Sequence, residues 1–458
     1  MPRNKKKYKT LFVCQNCGYE SPKWLGRCTE CGEWSSFVEE KITPVQKRTA
    51  RGGAAYTEKP LTLAEVTGEA ETRIGTTGIE FNRVLGGGIV PGSVVLVGGE
   101  PGIGKSTLML QYGLLLAQKN HKVLYVSGEE SARQTKMRAA RLKLESQNFL
   151  ILSETNLDAI TTAIENTKPA IVIIDSIQTT FKAEFESAPG SISQVRECAL
   201  ELIAIAKHKN IAVFIIGHVT KEGYLAGPKT LEHMVDTLLL FEGDRDHLYR
   251  ILRSAKNRFG STREIGVFEM TEEGLLEVKN PSALFLSERR NDTSGSAVAC
   301  ILEGTRPILI EVQALVSPTS YGTPQRTTSG VDHRRVALLL AVLDKRVGLH
   351  LGTFDVFVNV AGGARIDEPA ADLAIVTAVA SSMRNKVVDP GAVAIGEVGL
   401  GGEIRAVPHI DKRAIEAEKM GFNKIIVPRS SAKKKVKLEK AEQINSETVE
   451  QALEFLLT

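Results

Sequence analysis

Four apolar runs mark the region from about Thr72 to Val278. They are SVVLVGG, KVLYVSG, AIVIIDS and IAVFIIGH, and segments long enough to form helices separate them. Runs that are apolar at every position, and not only at every second one, are typical of strands buried on both faces. The alternation of such strands with helical segments predicts a parallel sheet that is covered by helices on both sides.

A second α/β pattern follows from about Pro281. Its predicted strands include PILIEVQALV, DVFVNV and AVAIGEV, and its helical runs are HRRVALLLAVLDKR and DLAIVTAVASSM. Residues 39–70 have no sustained apolar period and several Gly and Pro residues, which indicates a linker. We therefore predict an N-terminal knob at 1–38, a linker at 39–70, an α/β core at 71–280 and a second domain at 281–458.

Composition supports a globular protein of two or three domains. The 458 residues are 42% hydrophobic and 24% charged, so each domain can bury a sizeable core. No apolar run approaches the roughly 18 residues that a membrane span needs, and the basic start is not followed by a signal-peptide core. These features predict a cytoplasmic protein without a membrane partner. The net charge of +4 is too small to indicate a nucleic-acid partner by itself.

Four cysteines form a compact pattern near the start, in CQNCGYESPKWLGRCTEC. They are Cys14, Cys17, Cys28 and Cys31. Two C-x2-C turns can close a tetrahedral shell of four thiolates around zinc, and a closed shell indicates a structural metal. The alternative is unrelated cysteines or a redox pair. We expect the neighbouring Trp24 and Trp34 to pack on this knob, although contact with a partner is the other reading.

A phosphate-binding motif begins directly after the first long strand. GEPGIGKST comprises Gly99, Glu100, Pro101, Gly102, Ile103, Gly104, Lys105, Ser106 and Thr107. Between a strand and a helix, such a loop cradles phosphates with backbone N–H groups. We expect Lys105 to reach the β- and γ-phosphates of ATP and Ser106 to ligate Mg²⁺. Asp175, in AIVIIDS, supplies the second half of the site, because a carboxylate at the end of this strand can hold the water shell of Mg²⁺.

Hydrolysis also needs a group that orients or deprotonates water. Glu129 and Glu130 end the strand VLYVSGEES, which we expect to lie next to the P-loop strand, and either is a candidate base. The alternative is that both acids merely favour the start of a helix. His218, the last residue of IAVFIIGH, is a candidate γ-phosphate sensor or simply a strand end. The loop KEGYLAGPK after it is a candidate DNA contact.

One further motif, KNRFG at residues 256–260, makes the combination specific. Together with the knob, GEPGIGKST and a protease-like tail, it closely resembles the RadA (Sms) family of bacterial DNA repair proteins over essentially the whole chain. The resemblance implies a RecA-like ring ATPase related to replicative helicases. Lys256 and Arg258 alternate along a predicted strand and therefore share a face. We expect them to reach a neighbour's γ-phosphate; the alternative is surface charges on an edge strand.

The tail resembles a Lon-type serine–lysine protease. The segment EPAAD matches the proline and following alanine of the protease's nucleophile pattern, but Ala370 stands at the nucleophile. In GEVGLGGEIRAVPHIDKRAIEAEKMGFNKIIVP, Asp411 aligns with the protease lysine and Lys412 is one residue away. An alanine methyl cannot attack a carbonyl, so we predict no proteolysis. The resemblance implies that the fold and its sixfold rings are retained.

These features predict an α/β protein with a RecA-like P-loop ATPase core, a zinc knob and a Lon-protease-like C-terminal domain. The implied function is a homo-hexameric, DNA-dependent ATPase that uses ATP, Mg²⁺ and Zn²⁺. It would move on single-stranded DNA and process branched recombination intermediates alongside the RecA recombinase. ATP hydrolysis follows from the residues, whereas DNA and recombination follow from the resemblance. The alternatives are a RecA-type signalling ATPase ring without translocation, an ATP-dependent protease or unfoldase, and a zinc-dependent scaffold.

Overall fold

A computed structural model gives the fold of the chain. It describes residues 9–14, 19–30, 32–42, 73–185, 187–218, 230–243, 249–319, 322–430 and 436–457. The chain divides into two compact units, Met1–Val278 and Lys279–Thr458, close to the boundary that the sequence predicts. Within the described part of the chain, no helix is both long enough and apolar enough to cross a membrane.

The N-terminal knob is a small antiparallel sheet. Its strands are β1 (Lys9–Cys14), β2 (Glu20–Ser21) and β3 (Phe37–Ile42), in the order β2-β1-β3. Cys14, Cys28 and Phe37 are buried together at its centre. β3 continues to Ile42, into the segment that the sequence predicts as linker, because all six of its residues pair with β1.

The rest of the first unit is a three-layer α/β domain. Its elements in chain order are α1 (Ile79–Leu85), β4 (Val94–Gly99), α2 (Lys105–Gln118), β5 (Val123–Ser127), α3 (Ala132–Arg141), β6 (Phe149–Ser153), α4 (Leu157–Thr167), β7 (Ile171–Asp175), α5 (Ile192–Lys209), β8 (Ala212–His218), α6 (Thr230–Met234), β9 (Thr237–Glu242), β10 (Tyr249–Asn257), β11 (Ile265–Thr271) and β12 (Gly274–Glu277). Among the described residues, these strands form one sheet in the order β12-β11-β10-β9-β4-β8-β7-β5-β6.

The apolar strands supply both faces of this sheet. Val95 and Val97 of β4 pack toward α1 and α2, whereas Val94 and Leu96 pack toward α4 and α5. Successive side chains of a strand point to opposite faces, so a run without polar interruption feeds two cores at once. The prediction of a parallel sheet with helices on both sides is therefore confirmed for the strands from β4 to β9.

Two features of the sheet differ from the sequence prediction. β10, β11 and β12 add an antiparallel extension beyond β9, because short hairpin connections replace crossover helices there. The expectation that the strand before Glu129 lies next to the P-loop strand is wrong, since β8 and β7 lie between β4 and β5. β4 and β5, which α2 connects, are not neighbours in the sheet. The later strands β7 and β8 occupy the two positions between them.

The second unit is a mixed sheet with helices on both faces. Its elements in chain order are α7 (Pro281–Phe285), β13 (Ser296–Glu303), β14 (Arg306–Pro318), β15 (Arg326–Ser329), α8 (His333–Arg346), β16 (Phe354–Val360), α9 (Asp372–Arg384), β17 (Ala392–Ala394), β18 (Glu397–Val398), β19 (Ile404–Arg405), α10 (Ile410–Lys419), β20 (Lys424–Pro428), β21 (Glu442–Ser446) and α11 (Val449–Leu456). The main sheet has the order β15-β16-β14-β13-β17-β20-β21, and β18 pairs with β19. A short 3₁₀ helix, Pro369–Ala371, leads into α9.

Candidate active site

The phosphate-binding loop lies between the end of β4 and the start of α2. Gly102 and Gly104 adopt positive φ angles of 81° and 114°, which few other residues adopt without strain. A Cβ atom on Gly104 would also lie 2.6 Å from the Met270 side chain. The glycines thus let the backbone turn tightly, so that its N–H groups and the N-terminus of α2 can face an anion.

Lys105 is held at the floor of this loop. Its Nζ donates hydrogen bonds of 2.8 Å to the carbonyl oxygens of Gly99 and Glu100, and the residue is 4% exposed. Burial lowers the pKa of Lys105 to about 8, against the opposing effect of the negative charges of Asp175, Glu129 and Glu100. Entering phosphates would offer this cation anionic acceptors in place of two carbonyls.

Asp175 is the last residue of β7, and Glu129 follows the neighbouring strand β5 at the same carboxyl edge of the sheet. β5 and β7 are parallel, and Ser127 pairs with Asp175. Tyr125 donates a hydrogen bond from its hydroxyl to Asp175 Oδ2, and Ser176 Oγ donates one of 2.6 Å to Glu129 Oε1. Both carboxylates therefore face the lysine of the loop, as ligands do at this edge of open α/β sheets.

Glu130 is directed elsewhere. Its carboxylate forms an ion pair with Arg138 of α3, and its backbone N–H donates to Ser127 Oγ at 3.1 Å. Ser131 caps α3, and the first turn of that helix contains no acidic residue, which argues against the reading that both acids serve the helix start. Of the two candidate bases, the geometry favours Glu129.

A cleft of about 560 Å³ extends from the loop across the start of α2. Its lining residues are Pro101, Gly102, Gly104, Lys105, Ser106, Thr107, Glu129, Arg138, Arg141, Leu142, Met270, Thr271, Glu272 and Gly274. The last four belong to the β11–β12 hairpin, which sequence reasoning did not assign to the site. Gln111 of α2 fixes that hairpin through two hydrogen bonds to Leu275. In the sequence, the polar stretch TEEG between two apolar runs indicates the turn of this hairpin.

The residues at the loop fit a nucleotide with Mg²⁺. Ser106 stands in the first turn of α2 and lines the cleft, and Asp175 is 8% exposed at the strand end that faces Lys105. A hydroxyl and a carboxylate are the hard oxygen donors that Mg²⁺ accepts, together with phosphate oxygens and water. The donor chemistry of this cleft therefore suits Mg²⁺ better than a thiophilic metal.

The KNRFG segment lies at the end of the sheet where the parallel strands begin, whereas the phosphate loop lies where they end. Asn257 at the end of β10 pairs with Thr237 at the start of β9, whereas Phe241 near the end of β9 pairs with Gly99. The strand length between these levels is on the order of 13 Å. Gly260 is required for close approach, because a Cβ there would lie 2.7 Å from the Cα of Gly86.

Lys256 and Arg258 contact neighbouring parts of one surface. Lys256 Nζ donates to the carbonyl oxygens of Glu232 and His233 at 2.8 Å and 3.0 Å, and the guanidinium of Arg258 pairs with Asp236 at 3.3 Å. Burial and then the charge of Arg258 lower the pKa of Lys256. The two cations thus lie close together, and far from the phosphate loop of their own chain.

The knob holds two of its four cysteines within the described residues. Cys14 is fully buried and Cys28 is 2% exposed, whereas Cys17 and Cys31 lie outside the described part. The backbone N–H of Gly32 donates to Cys28 O, and the φ of Gly32 is 77°. This tight turn directly after the second C-x2-C pair suits convergent thiolates, so the geometry that is described fits zinc.

The expected packing of the two tryptophans is wrong. Trp24 is 55% exposed and Trp34 is 69% exposed, because the small sheet has too little area to cover two indoles. The guanidinium of Arg27 lies over the Trp34 ring, 5.7 Å from its centroid.

Ala370 is fully buried in the core of the second unit. Its carbonyl accepts a hydrogen bond of 3.0 Å from Gly396 N, which ties the 3₁₀ turn to the strand end. Asp411 and Lys412 are exposed on α10, while Arg413 of the same helix is completely buried and pairs with Glu368. At the positions where a protease would have its nucleophile and lysine, this unit therefore has a packed methyl group and an exposed carboxylate.

Several predicted functional groups lie outside the described residues. The backbone of His218 ends β8, but its side chain is not described, and the loop KEGYLAGPK with Lys221 and Lys229 is outside as well.

Comparison with known proteins identifies the family. The DNA repair protein RadA of Bacillus subtilis is 55% identical over 425 residues, which are 92% of this chain and 93% of that protein. The protein of the same name from Halalkalibacterium halodurans is 54% identical over 454 residues, 98% of this chain and 99% of that protein. The chain belongs to the RadA family of DNA repair proteins.

Family matches cover the parts of this RadA-family chain separately. Residues 12–39 match a rubredoxin metal binding domain, residues 71–224 an AAA domain, and residues 345–457 the Lon protease (S16) C-terminal proteolytic domain. The resemblances of the knob, the core and the tail are thereby confirmed. A KaiC-like protein from Pyrococcus horikoshii OT3 aligns in structure over 45% of this chain and 98% of that chain, at 20% identity and a TM-score of 0.38.

Replacement of Cys28 by alanine should release zinc from the knob and leave the ATPase core folded. A structure of this size has little core besides its metal, so loss of one thiolate removes most of its folding free energy. Elemental analysis of the purified protein measures the metal. Cys198→Ala is the matched control, because Cys198 is equally buried in the ATPase core. One zinc per chain in Cys28→Ala would contradict the assignment.

Replacement of Glu368 by alanine should destabilise the second unit by about 3 to 5 kcal/mol, because it leaves the buried guanidinium of Arg413 without its anion. Arg413 is completely buried and also donates to the carbonyl of Cys300 at 2.6 Å. Hydrogen–deuterium exchange of residues 279–458 in the full chain measures the change. Asp367→Ala is the control, since its ion pair with Arg365 is exposed. Equal protection in both variants would contradict this prediction.

Proposed function

We propose that this chain is a DNA-dependent ATPase that moves on single-stranded DNA and processes branched recombination intermediates in DNA repair. The observation that carries the ATPase part is that Lys105 and Glu129 line one cleft beside the phosphate loop, while the charges of Asp175 and Glu129 both act on Lys105. The DNA part rests on membership of the RadA family, as does a functional link with the RecA recombinase.

Each group in the cleft has a separate role in the proposed hydrolysis. The backbone of residues 99–107 binds the phosphates, and Lys105 neutralises charge on the β- and γ-phosphates. Ser106 and Asp175 would hold Mg²⁺, which when bound would offset the negative charge that develops during transfer. Glu129 accepts a proton from water through a carboxylate oxygen, while the water oxygen attacks the γ-phosphorus and ADP leaves. Tight geometry among these groups supplies much of the rate.

We further propose that the active assembly is a homo-hexameric ring. Lys256 and Arg258 lie on the sheet edge opposite to the phosphate loop of their own chain, so a catalytic role requires a neighbouring chain. A heterologous interface repeated around a rotation axis gives each loop one such neighbour. In this arrangement each ATP site is built from two chains.

The Lon-like unit is proposed to act in assembly and DNA contact, and not in peptide hydrolysis. The support is chemical, since the methyl group of Ala370 has no lone pair and the exposed carboxylate of Asp411 cannot act as the activating lysine. Incubation with an unfolded protein such as casein and ATP checks this point. Release of acid-soluble peptides by the purified chain, lost in Lys105→Ala and not removed by inhibitors of contaminating proteases, would contradict it.

ATP turnover with and without single-stranded DNA is the test of the proposed function, combined with particle masses from mass photometry. We expect the DNA to stimulate turnover and to favour hexamers. The alternative, a RecA-type signalling ATPase, would be supported by a ring whose ATP turnover is the same with and without DNA. Such a ring would also fail to displace a strand or to move a branch point. ATP turnover by chains that remain monomeric would contradict an ATP site that is built from two chains.

A further inference from the structure

Two hydrogen bonds join β5 and β7 in opposite directions beside the nucleotide cleft. Tyr125 of β5 donates its hydroxyl hydrogen to Asp175 at the end of β7. Ser176, the residue after β7, donates its hydroxyl hydrogen to Glu129, which follows β5, at 2.6 Å. We call these four residues the cross-strand brace. Each strand thus supplies one functional carboxylate and one neutral donor that holds the carboxylate of the other strand.

The Tyr125 donor is fixed by burial. Tyr125 is 1% exposed, and its ring packs in the core between the sheet and α2, 5.8 Å from the ring of Phe149. Tyr125 pairs with Ile173, so Asp175 lies two residues further along the same face. A phenol in an otherwise apolar strand needs a partner for its hydroxyl. Its partner here is the carboxylate of Asp175, which we assign to Mg²⁺.

The Ser176 donor is fixed by the turn that follows β7. Ser176 is fully buried, and its carbonyl oxygen accepts from the hydroxyls of Thr179 and Thr180 at 2.9 Å and 3.1 Å. The residue after the end of β5 also lies close to the end of β7, because Gly128 N donates a hydrogen bond of 2.7 Å to Asp175 O. A Cβ on Gly128 would lie 2.1 Å from Thr179 Oγ1. The two strand ends therefore form one rigid unit.

We propose that Tyr125 and Ser176 are positioning residues, which fix Asp175 and Glu129 relative to each other and so set the distance between the bound Mg²⁺ and the attacking water. This inference rests on the proposed ATPase function of the cleft. A base that drifts by about 1 Å from its water loses on the order of 10²-fold in rate. Neighbouring hydrogen bonds that orient metal-binding carboxylates have comparable importance.

Ser176→Ala tests the donor to the base. We expect kcat for ATP to fall by about 10- to 100-fold while KM for ATP and the affinity for ADP stay within about twofold, because only the orientation of Glu129 is lost. Ser176→Thr keeps the hydroxyl and should restore kcat. Ser93→Ala is the matched control, since Ser93 is a 2% exposed serine whose hydroxyl binds a carbonyl outside the cleft. A parental kcat in Ser176→Ala would overturn this half of the proposal.

Tyr125→Phe tests the donor to the Mg²⁺ carboxylate through a binding measurement that needs no turnover. The affinity for a fluorescent ADP analogue is titrated against Mg²⁺ concentration. We expect the Mg²⁺ needed for half of the effect to rise by about tenfold or more, with unchanged ADP affinity in EDTA. Tyr112→Phe is the matched control, because Tyr112 is also buried but its hydroxyl binds Glu277. An equal shift in both phenylalanine variants, or none in Tyr125→Phe, would overturn this half.

A double-mutant cycle separates positioning from a general loss of structure. Single-turnover hydrolysis is measured in Glu129→Gln and in the double variant with Ser176→Ala. If Ser176 acts through Glu129, its replacement costs nothing further in the glutamine background. A loss as large as in the parent would show that Ser176 acts otherwise and would overturn the proposal. A parental rate in Glu129→Gln alone would instead remove the base from the proposed function, which is a distinguishable failure.

Discussion

Replacement of Lys105 by alanine should abolish ATP hydrolysis, with a loss of roughly 10³-fold or more, while the chain remains folded. The cation stands at the floor of the phosphate loop and is charged in the presence of phosphate oxygens, whereas a methyl group leaves their charge uncompensated. Within the described part of the chain, its two hydrogen bonds go to the carbonyl oxygens of Gly99 and Glu100 at the loop itself, so the contacts between the sheet and the helices do not depend on them. Phosphate release under saturating ATP measures the effect.

The control for this variant is Lys119→Ala, at the other end of α2. Lys119 caps the helix and its ammonium lies 3.5 Å from Gly75 O, away from the loop. It should keep the parental turnover, and both variants should have the thermal unfolding midpoint of the parent within a few degrees. Parental hydrolysis by Lys105→Ala would place the ATP site elsewhere in the chain.

The sequence reveals the nucleotide loop because its determinants are local. Gly102, Gly104 and Lys105 are contiguous, and their role depends only on a strand before them and a helix after them. Asp175 could also be predicted, since an acid at the end of a buried strand must lie at the carboxyl edge of a parallel sheet. Local chemistry and the direction of the strands were sufficient for these residues.

The choice between Glu129 and Glu130 could not be made from sequence. The two are adjacent, and what separates them is their partners, Ser176 from β7 and Arg138 from α3. Such contacts depend on strand order, and the sequence does not show that β8 and β7 come between β4 and β5. The role of Tyr125 could not be predicted for the same reason, because its hydrogen-bond partner Asp175 lies 50 residues further along the chain.

The N-terminal knob and the second unit also combine features that the sequence reveals with features that depend on the folded structure. The cysteine spacing predicts the metal shell, but whether Trp24 and Trp34 are covered depends on the area of a sheet of three short strands. In the second unit, the loss of the protease residues is visible in the letters Ala370 and Asp411. That Arg413, two residues after Asp411, lies in the interior could be learned only from the structure, because it follows from which face of α10 packs on the sheet.

Replacement of Lys256 or Arg258 by alanine should lower ATP hydrolysis and strand movement by roughly 10³- to 10⁵-fold, as expected for cations that reach a neighbour's γ-phosphate. Nucleotide should still bind, because Lys105, Ser106 and Asp175 are untouched. Equilibrium binding of a fluorescent nucleotide, measured beside phosphate release, separates the two effects.

A structural role for KNRFG is the competing explanation, since Lys256 binds the end of α6 and Arg258 pairs with Asp236, which also accepts from Val94 N at the start of β4. Arg253→Ala is the matched control, because Arg253 is a partly exposed cation of the same strand with its own acidic partner. If Lys256→Ala lowers the unfolding midpoint much more than Arg253→Ala and weakens nucleotide binding in proportion, structure explains the loss.

Mixing the two kinds of inactive chain gives the sharpest test. A Lys105→Ala chain retains its Lys256 and Arg258, and a Lys256→Ala chain retains its phosphate loop. In a randomly mixed ring of equal parts, about one interface in four joins an intact loop to an intact pair of cations, because each heterologous interface takes one half from each chain. Turnover should therefore rise well above that of either variant alone. Fluorescence energy transfer between labelled chains establishes that subunits exchange. If they exchange and the mixture stays inactive, completion of the site by a neighbour loses its support, and KNRFG acts within its own chain.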